Sequence, residues 1–134
     1  VYLTQTCQEG IVSELPGEIR DLQDDLARGS GRQVTVVAYL TPRPGKEDDL
    51  RDVLLSLVEP THAEPGCIVY DLHRSNDDPC VFLYFEIWRS EEDLQAHLEM
   101  PHLEPLFARK EELLAQEIDV ELFRMVSTPK RLDD

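Results

Sequence analysis

From residue 33 onward the apolar positions change period repeatedly, and each change marks an element. Residues 33–40 are rich in β-branched side chains (Val34, Thr35, Val36, Val37) and stop at Thr41-Pro42-Arg43-Pro44-Gly45, which predicts a strand and a turn. Leu50, Val53, Leu54, Leu57 and Val58 then keep the spacing of one helical face. Acidic Glu47, Asp48 and Asp49 stand where the helix dipole favours negative charge. Pro60 is expected to kink or end that helix.

Pro65-Gly66 closes the next loop, and residues 67–74 predict a second strand. Ser75-Asn76-Asp77-Asp78-Pro79 supplies turn chemistry before a third strand over residues 80–88, so the two strands are expected to pair as a hairpin. Ser90 is suited to cap a helix through Leu94 and Leu98. Pro101 interrupts it, and Leu103, Leu106, Phe107 and Leu114 continue an apolar face toward Gln116. A last strand is expected over about residues 118–126. The order β-α-β-β-α-β defines an α+β, ferredoxin-like domain over residues 31–127, with an antiparallel sheet and helices on one face.

The third strand offers no solvent face: Val81, Leu83, Phe85 and Ile87 fall on one side, and Phe82, Tyr84 and Trp88 on the other. Two helices cover only one side of a four-stranded sheet. A second copy of the sheet is the economical cover for the other, which predicts a homodimer; cover by the N-terminal arm is the alternative. That arm, residues 1–30, carries Leu15, Ile19, Leu22 and Leu26 at helical spacing, with Pro16 near the start and Gly29 past the end. An amphipathic helix between Glu18 and Arg28 is expected to pack on the domain or on the partner subunit. Residues 128–134 read as a C-terminal tail.

Charge narrows the partners. Thirteen basic against 28 acidic residues leave a net charge of −15 in 134 residues, which repels phosphate backbones and anionic lipid. No apolar run approaches the roughly 20 residues needed to span a bilayer. Neither nucleic acid nor membrane is therefore an expected partner. Cys7, Cys67 and Cys80 form an odd set without CxxC spacing, suggesting neither a disulfide framework nor a zinc knuckle, and a reduced cytoplasmic setting fits best.

The candidate chemistry lies on the strands and the second helix. Alternation puts Tyr84, Glu86 and Trp88 on one face, where the indole would stack on a planar ligand and Glu86 would hold a proton or orient a base. Each is equally expected as a structural residue. Of the four histidines, His62, His73, His97 and His102, no two stand four apart on a helix, and no dedicated metal site is expected. His73 or His97 is the expected base, and Arg74 or His102 the positive charge for an oxyanion. Pairing Asp71 with Tyr84 would bring His73 to the Trp88 face; pairing Tyr70 with Tyr84 would favour His97. Tyr70 and Tyr39 complete the expected substrate-binding set. Walker A, GxGxxG and GxSxG motifs are absent.

Four pieces in order carry a resemblance: Pro44-Gly45 before an amphipathic helix; Glu64-Pro65-Gly66-Cys67 with Tyr70; Glu86-Ile87-Trp88; and Ala96-His97-Leu98-Glu99-Met100-Pro101-His102. Together they resemble the antibiotic-biosynthesis monooxygenase family over about residues 34–126. The resemblance implies a dimeric α+β barrel and an oxygenase of a planar phenol, anthrone or quinol, as in aromatic polyketide tailoring. By position Trp88, His97 and His102 match the family's strand-end tryptophan and helix-loop histidines. Members that oxidise anthrones or degrade heme resemble one another in using an asparagine on the first strand, at a position that falls near Ala38 here; the only asparagine is Asn76. The expectation shifts toward a branch in which reduced flavin (FADH2 or FMNH2), delivered by a flavin reductase, activates dioxygen. A non-oxygenase enzyme, such as an isomerase or a signal-degrading enzyme, and a non-catalytic aromatic-binding dimer are the alternatives.

Overall fold

The computed structural model describes residues 32–129. The helix expected between Glu18 and Arg28 and most of the tail lie outside them. Strand β1 (Val34–Leu40) leads through a turn at Gly45, whose φ of +84° suits glycine, into helix α1 (Glu47–Ser56) and the short α2 (Val58–His62). Strands β2 (Cys67–Arg74) and β3 (Phe82–Trp88) form the hairpin. Helix α3 (Glu91–Leu98), a 3-10 turn (Pro101–Leu103) and α4 (Glu104–Leu113) precede β4 (Asp119–Phe123). The sheet is antiparallel with order β2-β3-β1-β4, the ferredoxin-like topology expected. Among the described residues no helix is long and apolar enough to cross a membrane.

Pro60 ends α1 as expected, three residues upstream of its own position. It is the third residue of α2, where an N–H would have no partner within that helix, so it is tolerated there. The N–H it lacks is the one that would have bonded the Ser56 carbonyl, and the break falls at Leu57, where α1 ends and α2 begins. The Ser90 cap is formed: its hydroxyl accepts the Asp93 N–H at 3.2 Å.

The core lies between the sheet and the helices. Val34, Val36, Ala38 and Leu40 of β1, Phe82, Tyr84 and Trp88 of β3, and Leu50, Leu54, Leu103, Leu106 and Leu113 from the helical layer are all buried there. The opposite side of the sheet carries Phe85, 36% exposed, and Phe123, 50% exposed. Cys67 is a free thiol that burial and the nearby Glu64 push up to about 11. Cys80 is disulfide-bonded, which the odd cysteine count did not foretell.

Candidate active site

Hairpin register decides which side chains share the helix-covered face. Leu72 pairs with Tyr84 and Tyr70 with Glu86, a register different from both sequence alternatives. Its parity matches the second: Tyr70, Leu72 and Arg74 join Phe82, Tyr84, Glu86 and Trp88, and His73, opposite Leu83, turns outward. β2 is also an edge strand, so His73 is exposed at the sheet's border rather than central.

Between the covered face and α3–α4 lies a cavity of about 460 Å³. Its walls are chiefly apolar, with Val36 and Ala38 on the sheet side and Leu94, Leu98, Leu103 and Leu106 on the helix side. Tyr70, Tyr84 and Glu86 also line it, with exposed Glu99 and Phe107 and half-buried Lys110 and Glu117 where it meets solvent. Tyr70 and Tyr84 stack with ring centres 4.4 Å apart. The Tyr84 hydroxyl donates to the Leu54 carbonyl, tying β3 to α1, and burial raises both phenols' pKa values well above the ordinary range. They present ring surface rather than phenolate charge.

Glu86 is the ionisable group set into this apolar wall, with 5% of its surface exposed. Burial pushes its carboxyl up to about 7; the Trp88 indole N–H, donated to Oε1 at 2.8 Å, opposes the shift, and Glu64 adds to it. Trp88 is fully buried next to Glu86 on the same strand face, and its ring meets that of His97 at 4.6 Å with a tilt of 36°. A carboxyl poised near neutrality beside a slot for a flat ring is equipped to accept a proton from an acidic hydroxyl.

A second layer backs this wall. His97 Nδ1 lies 2.9 Å and His102 Nε2 2.8 Å from the same oxygen, Oε2 of Glu64, and the Thr61 hydroxyl is 3.2 Å from His102 Nε2. Burial outweighs the Glu64 carboxylate and lowers the His97 pKa, leaving that imidazole neutral at pH 7. Local sequence explains the assembly. A Cβ at Gly66 would collide with the Asp93 side chain, so glycine lets the residue 64–67 loop lie against the start of α3. The Arg89 N–H then bonds the Gly66 carbonyl at 2.8 Å, bringing Glu64 under His97.

Of the residues singled out from sequence, Tyr70, Tyr84 and Glu86 meet at the cavity, and Trp88, His97 and His102 form the layer behind them. Three stand apart. His73 and Tyr39, paired across the sheet or hairpin with Leu83, share the outer side. Arg74 lies over the Phe82 ring at 4.9 Å and donates to the Pro79 carbonyl, outside the cavity lining. Sequence reasoning missed Glu64 as a site residue, and with it the Glu64, His97 and His102 cluster, whose ligand atoms all lie within 4.8 Å of one another. Histidine spacing alone was blind to a third donor arriving from 33 residues away.

Comparison with known proteins matches residues 33–109, more than half of the chain, to the antibiotic biosynthesis monooxygenase family. The chain belongs to that family. The candidate monooxygenase Rv0793 of Mycobacterium tuberculosis is similar, at 39% identity over 87 residues covering 65% of this chain and 85% of its own. The candidate monooxygenase YcnE of Bacillus subtilis is 30% identical over 87 residues, 65% of this chain and 92% of its own. The crystal structure of PA3566 from Pseudomonas aeruginosa superposes with a TM-score of 0.68 at 31% identity, covering 72% of this chain and 96% of that one. As a member of the antibiotic biosynthesis monooxygenase family, the chain is an oxidoreductase of the monooxygenase type.

Proposed function

We propose that the chain oxygenates a planar phenol, anthrone or quinol held in the cavity between the sheet and α3–α4. The observation that carries this is Glu86: a buried carboxyl pushed up to about 7, lining a chiefly apolar slot of about 460 Å³ beside two stacked tyrosines, with the charged Glu99, Lys110 and Glu117 set nearer solvent. The Glu86 carboxylate takes the hydroxyl proton of the substrate and becomes the neutral acid. The electron-rich ring anion that remains reduces dioxygen, and one oxygen atom enters the ring while the other leaves as water. A quinol or anthrone supplies both electrons itself, whereas a less reducing phenol needs reduced flavin as cosubstrate. Tyr70 and Tyr84 hold the ring plane, and Trp88 fixes the Glu86 carboxyl by its N–H. His97 and His102 act from behind through Glu64 and Trp88. This gives the base role to Glu86 rather than to His73 or His97, because Glu86 is the group that faces the slot.

A second copy of the chain is proposed to cover the outer side of the sheet, where Phe85 and Phe123 are the exposed apolar residues. Dioxygen uptake tests the reaction, measured with quinols, anthrones and phenols in air, with and without reduced flavin. Substrate-dependent uptake that disappears in Glu86→Gln is the expected result. Tight binding of aromatics without uptake under either condition would overturn the oxygenase reading and favour a binding protein.

A further inference from the structure

Behind the cavity wall three potential ligand atoms converge. His97 Nδ1 and His102 Nε2 both aim at one oxygen of Glu64, and all three atoms lie within 4.8 Å of one another. The three donors come from separate elements: the loop after α2, helix α3 and the 3-10 turn. We propose that Glu64, His97 and His102 bind one divalent transition-metal ion, with the Thr61 hydroxyl as a neighbouring fourth donor.

The donor set selects the class of ion. Two imidazole nitrogens and one carboxylate oxygen suit Zn²⁺, Co²⁺, Ni²⁺ or Fe²⁺, whereas Mg²⁺ and Ca²⁺ prefer all-oxygen shells. Around an ion held at about 2.0–2.1 Å, neighbouring donors stand roughly 3.3 Å apart. The Glu64 oxygen now sits 2.8 and 2.9 Å from the two nitrogens, and all three atoms lie within 4.8 Å. Both O···N distances are therefore within about half an ångström of ligand spacing. Glu64 and His97 are buried and His102 is partly exposed, which gives both a dry site and a path of entry. The chain's net charge of −15 draws cations toward it. This inference does not rest on the oxygenase reading, since the ion would sit behind Trp88 and not among the residues lining the cavity.

Trp88 provides the readout. It is the only tryptophan in the chain, and its ring centre lies 4.6 Å from that of His97. The untagged full chain, stripped with chelator and dialysed, is titrated with Co²⁺ while tryptophan emission and visible d–d absorption are followed. Saturable quenching complete at a single equivalent, reversed by Zn²⁺, is the expected result. Glu64→Gln and His102→Gln each weaken binding by about tenfold or more, and His73→Gln on the outer side leaves it unchanged. His102 is partly exposed, so its variant serves as the test if loss of Glu64 compromises folding. Absence of saturable quenching, or quenching that survives in His102→Gln, would show that the cluster is a hydrogen-bonded trio and overturn the proposal. Because no turnover is measured, failure here leaves the oxygenase reading to its own test.

Discussion

The two faces of strand β3 are built from similar residues and have opposite fates. Toward the helices, Phe82, Tyr84, Glu86 and Trp88 are 5% exposed or less; away from them, Phe85 is 36% exposed and Leu83 half-buried, while Ile87 at the strand's end is buried. The covered face contains a carboxyl, a phenol and an indole N–H, yet it is the drier one. Each polar atom there has been given work: Tyr84 bonds the Leu54 carbonyl, and Glu86 takes the Trp88 N–H. The outer face is more uniformly apolar and remains open in the single chain. Hydropathy of a strand face therefore does not by itself say where the site lies; the layer packed against it does.

The largest expected difference between the faces is in stability. Trp88→Ala, which empties a fully buried position, is expected to cost about 3–5 kcal/mol, read as a lower denaturant midpoint. Phe85→Ala on the outer face is expected to cost about 1 kcal/mol in the separated subunit. Equal losses would remove the distinction drawn between the faces.

A pH effect follows in size. Glu86 in the folded chain titrates near 7 instead of the ordinary 4.5, so between those values the folded state binds more protons than the unfolded one. Its stabilising contribution is complete below about pH 4.5 and is lost as pH rises through 7, a loss of about 3 kcal/mol. Glu86→Gln should flatten this slope and raise relative stability at pH 8, measured by urea unfolding across pH. An unchanged slope would mean that the carboxyl is hydrated rather than buried in the wall.

The same substitution should lower turnover by on the order of 100-fold, the usual consequence of losing a general base, while His73→Ala on the outer side leaves turnover within about threefold. The last effect is on association and belongs to Phe85→Asp. It is expected to separate a dimer joined through the outer face, seen by sedimentation, while aromatic binding in the cavity persists. Retained association would mean that another surface joins the copies.

Much of this architecture was written in the order of the residues. Alternation over residues 82–88, which puts Tyr84, Glu86 and Trp88 on one face, and the spacing of Leu50, Val53, Leu54 and Leu57, which makes one helical face, are local consequences of backbone geometry. The four motif pieces likewise pointed to the family that the comparisons show.

Tertiary structure alone decided the rest. The connection from Ser75 to Val81 is too long for turn type to set the register, and a bulge between Cys67 and Val69 shifts it again. Packing against the helices therefore chose Leu72 as the partner of Tyr84 and sent His73 outward. Glu64, His97 and His102 are 33 and 38 residues apart along the chain, and they meet because Gly66 lets its loop lie on α3. Periodicity reports which way a side chain points within its own element. Which element it then faces depends on contacts between distant segments, and that is where the burial of Glu86, the cavity and the buried cluster were determined.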